Sequence, residues 1–248
     1  MSKPTIVFAP GAWHTPDCYD TTRDQLHQRG WETEAVAYPS VGAEPPNKGL
    51  ADDAMALRST LERLANECKE IVLVVHSYGG LVGQNALPGL GYKQRQAAGK
   101  QGGVIMFVYL AAFVAPKGAT IKAMLGGQFL PWMQFDGDYS YAATPEIVFY
   151  HDLNHEAQKA AISKLKHQSA RIFTDQVTYE PWHEIPSMYL FCEADKALSL
   201  PIQQQMAQML GADVPTFTSI GSHSPFLSQP QEVVQGVEYA AKLGQDKK

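Results

Sequence analysis

Short apolar runs alternate along the chain with longer stretches of helical periodicity. Thr5-Ile6-Val7-Phe8-Ala9 ends at Pro10-Gly11, a turn signal. Thr33 to Tyr38, Glu70 to Val75, Val104 to Leu110, Ser187 to Cys192 and Thr216 to Ile220 read as further strands. From Ile71 to Val75 every position is apolar, the pattern of a strand covered on both faces, as in a parallel sheet. Helices are predicted over Asp17 to Arg29, Ala51 to Lys69, Gly79 to Ala86, Pro201 to Leu210 and Gln231 to Leu243. In the second of these, Met55, Leu57, Leu61, Leu64 and Ala65 repeat on one stripe. Strands alternating with helices predict an α/β layered sheet with right-handed crossovers.

Residues 119–184 break the alternation. They lack a parallel-strand pattern, are rich in aromatics, and hold helical pieces such as Glu156 to Gln168. The segment reads as a helical insertion packed over the sheet's carboxyl edge; the plainer alternative is two ordinary helices with a long loop.

Composition narrows the function classes. The 248 residues carry a formal net charge of −5, with 45% hydrophobic and 18% charged residues, enough for a large core without disulfide or metal staples. An acidic chain argues against nucleic acid. The longest apolar runs fall short of the ~20 residues a membrane span needs, and no basic leader followed by an apolar stretch is visible. Cys18, Cys68 and Cys192 are an odd set with no CxxC pair, so free buried thiols and a cytoplasmic location are expected. His151 and His155 have a zinc-compatible spacing but no third ligand, and Gly89-Leu90-Gly91 follows a helix, unlike a dinucleotide fingerprint. A homodimer is left open.

Candidate chemistry sits at strand ends. Val75-His76-Ser77-Tyr78-Gly79-Gly80 runs from an apolar strand through a serine into two glycines that open a helix, a nucleophile elbow with Val75 in place of the first glycine. A serine hydroxyl attacks only if a tight turn projects it clear of its neighbours. Such a serine needs a base and a group to orient the base. His223, in Gly221-Ser222-His223-Ser224-Pro225 after the last strand, supplies the first. Asp195, with Glu193 as second choice, follows the strand ending at Cys192 and supplies the other. The chain order serine, acid, histidine is the one a parallel-sheet hydrolase requires. The loop after the first strand, Pro10-Gly11-Ala12-Trp13-His14, provides an oxyanion donor at Ala12, and the second falls to Tyr78. Expected pocket walls are Trp13, His14, Tyr78, Phe113, Phe129, Trp132 and Tyr150.

These motifs, with Asp195-Lys196-Ala197-Leu198, resemble those of the α/β-hydrolase fold superfamily along essentially the whole chain, in detail the small plant esterases and hydroxynitrile lyases and related fungal and bacterial hydrolases. The resemblance implies a mostly parallel sheet with helices on both faces, a core of residues 1–118 and 185–248, and a cap over 119–184. It implies a Ser77–Asp195–His223 triad, no cofactor and a small-molecule substrate: a serine hydrolase of a small apolar ester or lactone. The chain departs from it in Pro10 before Gly11, and in having Gly11 and Ser224 where the lyases carry threonine and lysine. Two other functions compete: a lyase or C–C bond enzyme using the same His–Asp pair, and a non-catalytic small-molecule binder on the same scaffold.

Overall fold

The computed structural model describes residues 3–248. Its strands are β1 Thr5–Ala9, β2 Thr33–Ala35, β3 Glu70–His76, β4 Gly103–Leu110, β5 Met133–Asp136, β6 Tyr139–Ala142, β7 Gln168–Ser169, β8 Ser187–Cys192 and β9 Thr216–Ser219. The helices are α1 Asp20–Gln28, α2 Leu50–Asn66, α3 Gly79–Ala86, α4 Tyr92–Ala97, α5 Ile121–Met124, α6 Pro145–Val148, α7 His155–Lys164, α8 Leu200–Ala207, α9 Pro225–Ser228 and α10 Pro230–Lys247. Six strands form one sheet in the order β2-β1-β3-β4-β8-β9, and every pairing in it is parallel.

Alternation along each strand divides the core. Val7, Ala9, Leu73 and Val75 face a cluster with α2 and α3, while Ile6, Phe8, Val72 and Val74 face one with α1 and α10. Both faces are covered, which is why β3 is apolar at successive positions. Because all six strands run one way, the ends of β1, β3, β4, β8 and β9 open at a single edge, where α/β sheets bind ligands. No helix among the described residues is long and apolar enough to cross a membrane.

Several sequence expectations need correction. β2 ends at Ala35 rather than Tyr38, although Val36 still donates to the Phe8 carbonyl at 3.0 Å. Met55 leaves the α2 stripe and is 69% exposed. Cys18 and Cys192 are buried, but Cys68 is exposed. Residues 119–184 are not purely helical: β5, β6 and β7 form an antiparallel sheet beside α5, α6 and α7. The tight turn of its hairpin is at Gly137, whose φ of 55° suits glycine.

Candidate active site

The β3–α3 junction places Ser77 in left-handed backbone, with φ of 52°. The turn closes through Gly80 N–H donating to the Ser77 carbonyl at 3.0 Å and Phe113 N–H donating to the same oxygen at 3.1 Å. No side chain fits at Gly79 or Gly80, the second and third residues after Ser77. A Cβ on Gly79 would lie 2.7 Å from the Ala9 and Pro10 carbonyl oxygens, and one on Gly80 would run into the Phe113 carbonyl. The pair of glycines is thus required by close backbone approach from β1 and from the segment after β4.

Beyond β8 and β9 the chain brings an acid and an imidazole together. His223 Nδ1 lies 2.7 Å from Asp195 Oδ2, both side chains nearly inaccessible. The other oxygen, Oδ1, accepts from the backbone N–H groups of Ala197 at 2.7 Å and Leu198 at 2.9 Å. Gln203, buried on α8, donates to Oδ2 at 3.2 Å and exchanges hydrogen bonds with both backbone groups of Cys192. Four donors therefore converge on Asp195 and fix its orientation. Glu193, the second-choice acid, is exposed. The His223 loop is held from the 119–184 segment: Ser222 N–H donates to Asp152 at 2.7 Å and its hydroxyl to the Phe149 carbonyl at 2.9 Å.

Ser77 and His223 line one mainly apolar cavity with Ala12, Trp13, His14, Tyr78, Phe113 and Trp132. Its volume is about 30 Å³, room for about two water centres. Two expected walls are elsewhere. Phe129 packs into an aromatic cluster with Phe135 and Phe173, at centroid distances of 4.2 and 5.9 Å. Tyr150 faces a separate cavity beside α7 and reaches the site only through its hydroxyl, 2.8 Å from His14 Nε2. Phe149 and Phe173 line the site instead, together with Ile121, Leu125, Leu130 and Met133. They come from the segment whose local pattern is weakest, so no periodicity singles them out.

Two buried histidines stand beside the pair. The Ala12 carbonyl can only accept, so His14 Nδ1, 2.7 Å away, carries the proton and Nε2 accepts from Tyr150. His76 likewise faces the His223 carbonyl at 2.7 Å through Nε2, and it lines the cavity. A Cβ on Gly11 would sit 2.7 Å from His76 Nδ1, so the threonine of the lyases does not fit here. Burial pushes the His14 pKa down to about 4, and that of His76 well below the ordinary histidine range.

Neutral in the fold but protonated in the unfolded chain below pH ~6.5, these rings contribute stability that is complete above that pH and lost as pH falls toward 4. His14 alone should remove about 2 kcal/mol between pH 7 and 5. Asp53, on α2, works in the opposite sense: burial raises its pKa to about 6, so protonation in the fold offsets about 1 kcal/mol of that loss. Urea unfolding at the two pH values should show a loss smaller by about 2 kcal/mol in His14→Gln than in the parent. An equal loss in both would mean that His14 is not held neutral.

Among the described residues no group of three or more His, Cys, Asp and Glu side chains could hold a metal ion, and His155 opens α7 exposed to solvent. An all-parallel sheet whose carboxyl edge carries an elbow serine and a carboxylate-bound imidazole has the architecture of an α/β hydrolase. The chain belongs to the alpha/beta hydrolase family, whose sequence profile matches residues 6–236. It is 30% identical over 246 residues to an alpha/beta hydrolase of Aspergillus novofumigatus, covering 97% of this chain and 98% of the relative. The backbone matches a pyrethroid hydrolase from Sphingobium faniae with a TM-score of 0.78 at 21% identity, over 99% of this chain and 100% of the other. It matches polyneuridine aldehyde esterase with a TM-score of 0.75 at 16% identity, over 96% and 99% of the two chains. At those identities the two structures speak for the fold. The protein is an enzyme of the alpha/beta hydrolase family.

Proposed function

We propose that this enzyme hydrolyses a small, largely apolar ester or lactone through Ser77, His223 and Asp195. The observation that carries the reading is the 2.7 Å contact of His223 Nδ1 with Asp195 on the wall of the cavity that Ser77 also lines. Asp195 keeps the imidazole proton on Nδ1 and leaves Nε2 free to take the Ser77 proton as the hydroxyl oxygen bonds to the acyl carbon. The backbone N–H groups of Ala12 and Tyr78 receive the oxyanion, and the start of α3 adds its positive end. His223 then gives its proton to the departing alcohol, and water repeats the sequence to release the acid from Ser77. Residues 119–184 act as the cap: they supply Trp132 and Phe149 to the walls and Asp152 to the His223 loop.

The apolar lining supports a neutral substrate, and the small cavity means that anything larger than a short acyl group requires the aromatic walls to turn aside. The lyase route loses support at Gly11, where His76 occupies the space a threonine would need. Incubation with 4-nitrophenyl and alkyl esters of C2 to C8 acids and with γ- and δ-lactones, followed by product analysis, tests the proposal. Acid plus alcohol in equal amounts from an ester, or the single hydroxy acid from a lactone, with a fluorophosphonate label on Ser77, is the expected result. Inertness to the whole panel together with an unlabelled Ser77 would leave only the binder.

A further inference from the structure

A buried polar chain runs behind the site and touches both segments that carry the proposed oxyanion donors. At one end Trp13, next to Ala12, has left-handed backbone with φ of 65° and donates its N–H to Gln168 Oε1 at 2.7 Å. Gln168 Nε2 donates to Ser40 Oγ at 2.7 Å. Ser40 donates its hydroxyl to Asp53 Oδ2 at 2.5 Å and its N–H to Asp53 Oδ1 at 2.9 Å. At the other end the Tyr78 hydroxyl donates to Asp53 Oδ2 at 2.7 Å.

The direction of every bond is fixed. A backbone N–H at Trp13 can only donate, so Gln168 must present its oxygen there and its NH₂ to Ser40. Ser40 must then turn its hydroxyl proton to Asp53, which accepts three hydrogen bonds and has none to give. All five residues are buried. We propose that Asp53 is a positioning residue of the hydrolytic site: its carboxylate clamps Tyr78 and, through Ser40 and Gln168, Trp13, setting the spacing of the Ala12 and Tyr78 amides that receive the oxyanion. The inference rests on the ester-hydrolase reading of the site.

Asp53 lies on the otherwise apolar side of α2 defined by Leu50, Ala54 and Leu57, a costly position for a carboxylate with only a surface role. The ionisable groups around it are Tyr38 and Tyr78, both pushed far up by burial and so neutral, and Asp52 on its own helix, which pairs with Lys48 at the surface; Asp175 faces Tyr78 from beyond. The clamp therefore depends on the charge of Asp53 alone. With its pKa near 6, it tightens as pH rises through that value.

Asp53→Asn keeps the shape but turns an NH₂ toward hydroxyl donors. Its kcat on 4-nitrophenyl acetate at pH 8, per site titrated with fluorophosphonate, should fall on the order of 30-fold with KM within about twofold. An aryl trifluoromethyl ketone adds Ser77 Oγ to its carbonyl carbon, passes the serine proton to His223 and leaves a hemiketal oxyanion. Its affinity should fall by a similar factor. The parent-to-variant ratio of kcat cancels titration common to both proteins, and should shrink to within about threefold at pH 5. Tyr78→Phe, which removes one bond and retains the amide, should lose about 3- to 10-fold in kcat and serves if Asp53→Asn does not fold. An active parent with both variants unchanged in kcat and ketone affinity, or a ratio that does not move with pH, overturns the clamp alone. A parent inert to ester and label overturns the ester-hydrolase reading and the clamp with it.

Discussion

Ser77→Ala should lower ester turnover by about 10⁴-fold or more, to the rate left by substrate binding and the oxyanion donors alone. The substitution removes one oxygen from a half-buried residue and leaves the hydrogen bonds that close the turn, since those use the Ser77 carbonyl rather than its side chain. Alanine carries the same Cβ as serine, so the left-handed backbone is strained no further. The His223–Asp195 contact, 2.7 Å in the parent, should persist, because Asp195 is held by Ala197, Leu198 and Gln203 and the His223 loop by Asp152 and Phe149. An unchanged melting temperature together with lost turnover of 4-nitrophenyl acetate is the expected pair of results. A purified variant within about tenfold of the parent rate would remove Ser77 from the mechanism.

The features that were readable before the structure are those governed by local chemistry. The strand Ser187–Cys192 and the helix Gly79–Ala86 have the boundaries the sequence predicts, because an apolar run beside turn residues and a glycine pair after a serine are short-range signals. The His223–Asp195 contact follows from strand order: two parallel neighbours, β8 and β9, must release their next residues at one edge. What stayed hidden is made by distant chain. Trp13 meets Gln168 across 155 positions and Ser40 meets Gln168 across 128, and no periodicity reports such pairings. Asp53 did leave a trace, a charge among Leu50, Ala54 and Leu57 on a buried helix face. The β5–β6 hairpin left another in Asp136-Gly137, a strong hairpin dipeptide between strands too short to show alternation. Phe129 and Tyr150 were misplaced for a related reason: where one small segment holds many aromatics, composition cannot say which of them face a cavity and which face each other.

The roles of residues 119–184 change accordingly. Besides lining the cavity, this segment bonds to the loops after β1 and β9. Lys166 N–H donates to the Trp13 carbonyl at 3.1 Å, the Trp13 ring donates to Ser140 at 3.1 Å, and Asp152 accepts from Ser222 beside the imidazole. The loops after β1 and β9 are thus held in part by partners outside the core strands. Exchanging this segment for one of different length would therefore disturb catalysis as well as specificity.

Asp195→Asn should reduce kcat on the order of 10⁴-fold at neutral pH while KM changes little, and the reason lies in which way the amide must face. The position of Oδ1 meets two backbone N–H groups, those of Ala197 and Leu198, so an asparagine keeps its oxygen there. Its NH₂ then takes the place of Oδ2, opposite His223 Nδ1 and the Gln203 amide, which also donates. The imidazole can accept that N–H only by moving its own proton to Nε2, the nitrogen that must receive the proton of Ser77. Labelling by fluorophosphonate should slow in parallel, because it needs the same proton transfer. Glu193→Gln, at an exposed position two residues away, should retain the parent kcat. Retention of activity by Asp195→Asn to within about tenfold, or an equal loss in Glu193→Gln, would move the role of the acid away from Asp195.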